Sequence, residues 1–125
     1  MRLLLDTNVL LWTLAGSLRI EAVRDLILSD DTDVFVSAVS WWEIAIKSRL
    51  GKLQVDLCEL RKTAAESGFL GLPLSGHHAE ALINLRHLHN DPFDHMLIAQ
   101  TISEPMRLIT GDRLLADYSS LVTVI

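Results

Sequence analysis

Leu3-Leu4-Leu5-Asp6-Thr7-Asn8, running on into Val9-Leu10-Leu11-Trp12, decides the fold. Three consecutive leucines with no alternation fit a short strand buried on both faces, as in a parallel sheet covered by helices. A carboxylate closes that strand, and the chain then turns to helix from about Asn8 to Leu14, ended by Gly16. The same handover recurs. Val34-Phe35-Val36-Ser37 reads as a strand before a helix from Trp41 to Leu50 that Gly51 stops. Arg107 to Thr110 and Leu121 to Val124 read as strands flanking a one-turn helix near Arg113. Between them lie further predicted helices. Arg19 to Leu28 carries Ile20, Val23, Leu26 and Ile27 on one face, and Leu57 to Glu66 ends at Gly68. His77 to Leu88 and Pro92 to Ile102 follow. Phe69 to Leu74 is an irregular or edge strand, because Gly71 and Pro73 interrupt it. Strands alternating with helices predict a doubly wound, parallel α/β sheet, in one domain across residues 1–125.

Four carboxylates stand at these handovers or in a first helical turn: Asp6, Glu43, Asp94 and Asp112. The carboxyl ends of the strands of such a sheet line one crevice, so residues distant in sequence meet there. Carboxylates brought together raise each other's pKa unless a cation neutralises them. Hard oxygen donors suit Mg²⁺ or Mn²⁺, as one or two ions. Each acid also has an ordinary explanation. Asp6 can cap the first helix, and Asp112 can shape the turn Thr110-Gly111-Asp112-Arg113. Ser40-Trp41-Trp42-Glu43 reads as a capping box. In Asp91-Pro92-Phe93-Asp94, Asp91 takes the cap, Pro92 the first helical position, and Asp94 is left as the ligand. Their joint placement carries the argument.

Bulk properties narrow the setting. At 125 residues the chain builds a core without staples. Half of it is hydrophobic, yet no apolar run reaches the roughly 18 residues of a membrane span. Its N-terminus lacks the basic, apolar and small-residue order of a signal peptide, and the single Cys58 allows no internal disulfide. A cytoplasmic location is therefore expected. The net charge of −5 argues weakly against a nucleic-acid partner, since bound divalent ions would offset the local deficit. Lys47, Arg49 and Lys52 form the densest basic cluster: a solvated helix end with Glu43 and Lys47 as an i,i+4 pair, or a grip on phosphates beside the acids.

The chain resembles the PIN-domain nucleases, and most closely the VapC toxins of toxin–antitoxin pairs. The likeness is carried by Leu4-Leu5-Asp6-Thr7-Asn8-Val9-Leu10-Leu11-Trp12 and Val36-Ser37-Ala38-Val39-Ser40-Trp41-Trp42-Glu43-Ile44. It continues in Asp91-Pro92-Phe93-Asp94-His95-Met96-Leu97-Ile98-Ala99-Gln100 and Leu108-Ile109-Thr110-Gly111-Asp112. The resemblance implies a three-layer α/β/α fold with a short, mostly parallel central sheet. It further implies that Asp6, Glu43, Asp94 and Asp112 hold the metal and hydrolyse RNA, with a homodimer and a cognate antitoxin as partners. One departure stands out: His95 occupies a position where such toxins commonly carry Arg. Asp6 and Asp94 would hold a metal that activates water, with Glu43 as a ligand or proton acceptor and Asp112 steadying the outer waters. Thr7 and Thr110 hydroxyls would orient these acids.

Other residues receive plainer readings. The five histidines, His77, His78, His87, His89 and His95, lack zinc-ligand spacing and read as surface residues. Two of Trp12, Trp41 and Trp42 read as core or interface packing, and the third as a flank of the site mouth or a partner contact. A receiver domain would need an acidic pair after the first strand and a late Lys; Thr7-Asn8 follows Asp6, and the last third of the chain has no Lys. A haloacid-dehalogenase-type phosphatase would want Asp-x-Asp, but residue 8 is Asn. A PIN fold that only binds its partner is the remaining alternative.

Overall fold

A computed structural model describes residues 1–125. Its five strands are β1 (Arg2–Leu5), β2 (Asp33–Ser37), β3 (Leu70–Leu72), β4 (Arg107–Thr110) and β5 (Val122–Val124). All pair in parallel, in the order β3-β2-β1-β4-β5. The expected mostly parallel sheet is thus wholly parallel, and the Phe69–Leu74 segment does form an edge strand. Strand order reverses about β1, which leaves the crevice of an open α/β sheet at its carboxyl end.

Six α-helices cover the sheet: α1 (Thr7–Leu14), α2 (Arg24–Leu28), α3 (Ala38–Arg49), α4 (Leu57–Glu66), α5 (Gly76–Ile83) and α6 (Pro92–Ser103). Two 3₁₀ helices, Leu18–Val23 and Arg113–Tyr118, complete the layers. Side chains alternate across each strand and so divide the core in two. Leu3, Leu5, Val34, Val36 and Ile109 pack with α1, α2 and Ile44 of α3 on one face. Leu4 and Leu108 pack with Leu97, Ile98, Leu115 and Tyr118 on the other. Each of these fully buried leucines contributes about 2 kcal/mol through removal from water.

Several boundaries differ from the sequence reading. The continuous helix expected over Arg19 to Leu28 is broken, with Val23 at φ −122° between its 3₁₀ and α parts. A period near three serves both, so Ile20, Val23 and Ile27 are buried regardless. Helix α3 starts three residues before Trp41, because Ser37 rather than Ser40 caps it and accepts the Val39 N–H at 3.0 Å. The helix expected to reach Leu88 stops at Ile83. Tyr118 explains the loop beyond it: its hydroxyl accepts the backbone N–H groups of Leu88 (3.0 Å) and His89 (3.1 Å). Gly16, Gly51 and Gly68, expected to stop helices, all take positive φ (67°, 74° and 81°).

Candidate metal centre

Parallel register sets the first contacts. Leu5 pairs with Ile109, so Asp6 and Thr110 leave their strands side by side. The Asp6 N–H is held by the Ile109 carbonyl at 3.0 Å, and the Thr110 hydroxyl donates to Asp6 Oδ2 at 2.5 Å. Asp6 Oδ1 accepts the Val9 N–H at 2.8 Å, so Asp6 caps α1 while facing the crevice. The two readings of this residue do not compete. Its side chain is buried, and burial is the main reason its pKa is raised; the Thr110 and Val9 hydrogen bonds oppose that rise, while Glu43 and Asp112 add to it. Those last two contributions place Glu43 and Asp112 within electrostatic reach of Asp6.

Glu43 lies one and a half turns into α3, buried, with no capping role. The capping box expected from Ser40 does not form, because Ser40 is itself inside the helix. The Thr7 hydroxyl has one proton, and a carboxylate can only accept, so Thr7 donates to Glu43 Oε1 at 2.6 Å. Ser40 Oγ, 3.1 Å from Thr7 Oγ1, then donates its own proton to Thr7. Lys47 Nζ donates to Glu43 Oε2 at 2.5 Å, the predicted i,i+4 pair. That bond is the chief cause of the raised Lys47 pKa, and the charges of Asp91 and Asp94 act in the same direction. Lys47 therefore belongs to the acidic cluster. Arg49 and Lys52 are exposed beyond it, at the end of α3.

Asp91 caps α6 as expected, its Oδ1 accepting the N–H groups of Phe93 (2.9 Å) and Asp94 (3.1 Å), with Pro92 in the first position. Asp94 in the first turn is left free of capping. Burial above all pushes its pKa up to about 6, the charges of Asp91 and Asp6 add to the rise, and a hydrogen bond with His89 opposes it. Asp112 caps the second 3₁₀ helix through Leu114 N–H (3.0 Å), and its own N–H is held by Thr110 Oγ1 at 3.0 Å.

Thus the four acids come from the end of β1, the body of α3, the first turn of α6 and the turn after β4. Each is backed by a donor from the protein. The aromatic surroundings also resolve: Trp41 packs on the core, Trp12 leans over Gly111, and Trp42 is exposed and meets Phe93 edge-on at 5.2 Å. Trp42 and Phe93 adjoin Glu43 and Asp94 in sequence.

Three histidines depart from the surface reading: His78, His89 and the half-buried His95. His89 is largely buried, with Nε2 at 3.1 Å from Asp94 Oδ2. Its partners lie in another element, and nothing in the local sequence marks it. His78 is buried and forms, with His77 and Glu104, a trio whose ligand atoms lie within 4.8 Å of one another. This trio sits ten residues along α6 from Asp94, about 15 Å. His78 Nδ1 accepts the Ser75 N–H at 3.1 Å, so its proton is on Nε2 and is given to Glu104 Oε2 at 2.5 Å. That is a helix cap joined to α6, with the ring nitrogens already used. A cavity of about 400 Å³ between Leu14, Ile27, Val34 and Phe69 is lined by none of the four acids.

The PIN domain family model matches residues 3–121, and the chain belongs to that family. A search of curated proteins found no match. Among solved structures, the chain is similar to one described as VapBC2 from Rickettsia felis bound to a DNA fragment from their promoter. The identity is 14%, with a TM-score of 0.73, over 98% of this chain and 96% of that one. It is also similar to a toxin–antitoxin complex from Klebsiella pneumoniae, at 20% identity and a TM-score of 0.67, over 97% and 95% of the two chains. These likenesses establish the PIN fold, a three-layer α/β/α arrangement around a parallel sheet. No helix is long and apolar enough to cross a membrane.

Proposed function

We propose that this chain is the toxin of a toxin–antitoxin pair, of the VapC kind, and that it cleaves RNA with Mg²⁺ or Mn²⁺ held by Asp6, Glu43, Asp94 and Asp112. The observation that carries this reading is the convergence of the four carboxylates at one end of the sheet. Asp6 and Glu43 are buried there, and burial, with the charges of neighbouring acids added, disfavours ionisation of Asp6 and Asp94. A divalent ion fits this set by donor chemistry: hard oxygens, an excess of negative charge, and a single lysine as counterion. When bound, the ion supplies an activated water and neutralises charge at the phosphodiester.

The chain's own groups do the rest. Asp6 and Asp94 bind, each held in orientation by a hydrogen bond, from Thr110 and His89 respectively. Glu43 takes the proton of the attacking water, and Thr7 and Ser40 fix its carboxylate. Asp112, tied to Thr110, steadies outer waters. Lys47, with Arg49 and Lys52 beyond it, receives substrate phosphates. A cognate antitoxin would inhibit by placing a basic side chain among the acids, as Lys47 already does in part. A homodimer and a cytoplasmic location complete the reading.

The test compares antitoxin-free wild type with Asp94→Asn on mixed RNA, each with Mn²⁺, Mg²⁺ or EDTA. Cleavage by wild type alone, abolished by EDTA, supports the proposal. Equal cleavage by both proteins places the site elsewhere, and no cleavage by either turns the reading toward a PIN-fold binding protein.

A further inference from the structure

Tyr118, His89 and Asp94 form a line of hydrogen bonds whose proton positions follow from valence alone. The Tyr118 hydroxyl has two lone pairs and one proton. Its lone pairs accept the N–H groups of Leu88 at 3.0 Å and His89 at 3.1 Å. The one proton therefore points to the remaining neighbour, His89 Nδ1, at 2.7 Å. A ring nitrogen that accepts carries no proton, so the proton of a neutral His89 ring is on Nε2. That nitrogen lies 3.1 Å from Asp94 Oδ2, which accepts it.

The geometry points to a positioning relay: Tyr118 fixes the tautomer of His89, and His89 fixes one oxygen of Asp94, leaving Oδ1 to face the crevice and a divalent ion. The relay rests on the reading of Asp94 as a metal ligand. Outer hydrogen bonds of this kind set both the orientation and the charge of a ligand. His95 braces the relay. Its Nε2 is 2.7 Å from the His89 carbonyl, which can only accept, so that nitrogen carries a proton and donates. The His95 ring also packs edge-on against His89 at 4.8 Å, with Tyr118 at 6.0 Å. The loop between α5 and α6 is thereby pinned from two sides, by Tyr118 below its backbone and His95 from the first turn of α6. Asp94 and His95 are adjacent, so the bracing residue and the ligand move as one piece of helix.

The test uses the full chain, with long-range ¹H–¹⁵N NMR of the histidine rings in EDTA and Mn²⁺ titration by calorimetry. Wild type is expected to show His89 protonated on Nε2. Tyr118→Phe is expected to shift the His89 Nδ1 resonance, because that nitrogen loses its donor. His89→Ala should weaken Mn²⁺ binding by about 10- to 100-fold. His89→Gln, whose amide can donate to the same carboxylate oxygen, should recover part of that loss. A wild-type His89 protonated on Nδ1 overturns the relay, and this measurement needs no variant to fold. Mn²⁺ affinity unchanged in His89→Ala overturns it as well. Asp94→Asn separates the two levels of the argument. Equal Mn²⁺ affinity in wild type and Asp94→Asn removes Asp94 from the ligand set. Weak binding in Asp94→Asn with wild-type binding in His89→Ala removes the relay and leaves the metal site standing.

Discussion

With no ion bound, the acidic crevice costs the fold stability, and Asp94→Asn measures how much. The Asp94 carboxyl is raised from 3.8 to about 6, mainly by burial. At about 1.4 kcal/mol per pKa unit, keeping Asp94 ionised in the folded protein at pH 7.5 costs about 3 kcal/mol. The side chain is 19% exposed, and solvent screening brings this nearer to about 1.5 kcal/mol. Asparagine has nearly the same shape, needs no ionisation, and retains an oxygen to accept from His89 Nε2. In EDTA at pH 7.5 the variant should therefore be more stable than wild type, with a Tm higher by about 4–8 °C. The pH dependence has a definite sign. A carboxyl whose pKa is raised by folding binds its proton more tightly folded than unfolded. Wild-type stability is then lowest above pH 6 and recovers as pH falls from about 6 toward 3.8, while the variant lacks this component. The gap should be about half closed at pH 5. Differential scanning calorimetry across that range is the assay. A variant no more stable than wild type at pH 7.5, or a gap that stays constant down to pH 4, would show that Asp94 is not a strained buried acid. If the proposed site is right, saturating Mn²⁺ should reverse the order, since only wild type keeps all four proposed ligands; at one hundred times Kd it adds about 2.7 kcal/mol.

Three further changes probe other parts of the site. Thr110→Val removes the hydroxyl that donates to Asp6 Oδ2 and receives the Asp112 N–H, so stability should fall by about 1–3 kcal/mol and Mn²⁺ affinity by about 10-fold or more in calorimetry. Lys47→Met leaves buried Glu43 without its counterion; the metal-free fold should lose about 1–2 kcal/mol, and Mn²⁺ should bind several-fold tighter, about 1 kcal/mol, because a competing cation is gone. Weaker Mn²⁺ binding in that variant would mean that Lys47 supports the ligands instead. Gly111→Ala sets a Cβ 2.6 Å from the Trp12 ring, which must swing away; a cost of about 1–2 kcal/mol and an altered near-ultraviolet circular dichroism spectrum are expected.

The buried strands are legible because Leu3 to Leu5 and Leu108-Ile109 are apolar runs too short for a helix, and burial on both faces needs nothing else. Asp91, Pro92 and Asp94 were legible because N-cap chemistry is local: cap, proline and first-turn acid fall within four residues. What failed was decided at long range. Ser40 and Ser37 are chemically equal as caps, and only the end of β2 against β1 and β3 selects Ser37. The stop at Ile83 comes before a loop whose N–H groups bond to Tyr118, some thirty residues on. His89 reads as a surface residue for the same reason, since its partners Tyr118 and Asp94 are assembled by tertiary packing. His78 left a faint local trace, a serine three residues before it, but histidine as the reciprocal member of a capping box is not the usual Glu or Gln.

The bond from Thr110 to Asp6 spans 104 positions of the chain. Closing so long a loop carries an entropic cost that local contacts cannot offset early, so pairing of β1 with β4 belongs to the late part of folding. During synthesis, Asp6, Glu43 and Asp94 all emerge before the strand that completes their surroundings. A nascent chain with β4 still inside the ribosome therefore has three of the four acids but no crevice, and whatever chemistry they perform begins only once β4 has emerged and paired with β1. Truncation just before Arg107 would leave most of the helices and three of the four acids, yet no assembled centre.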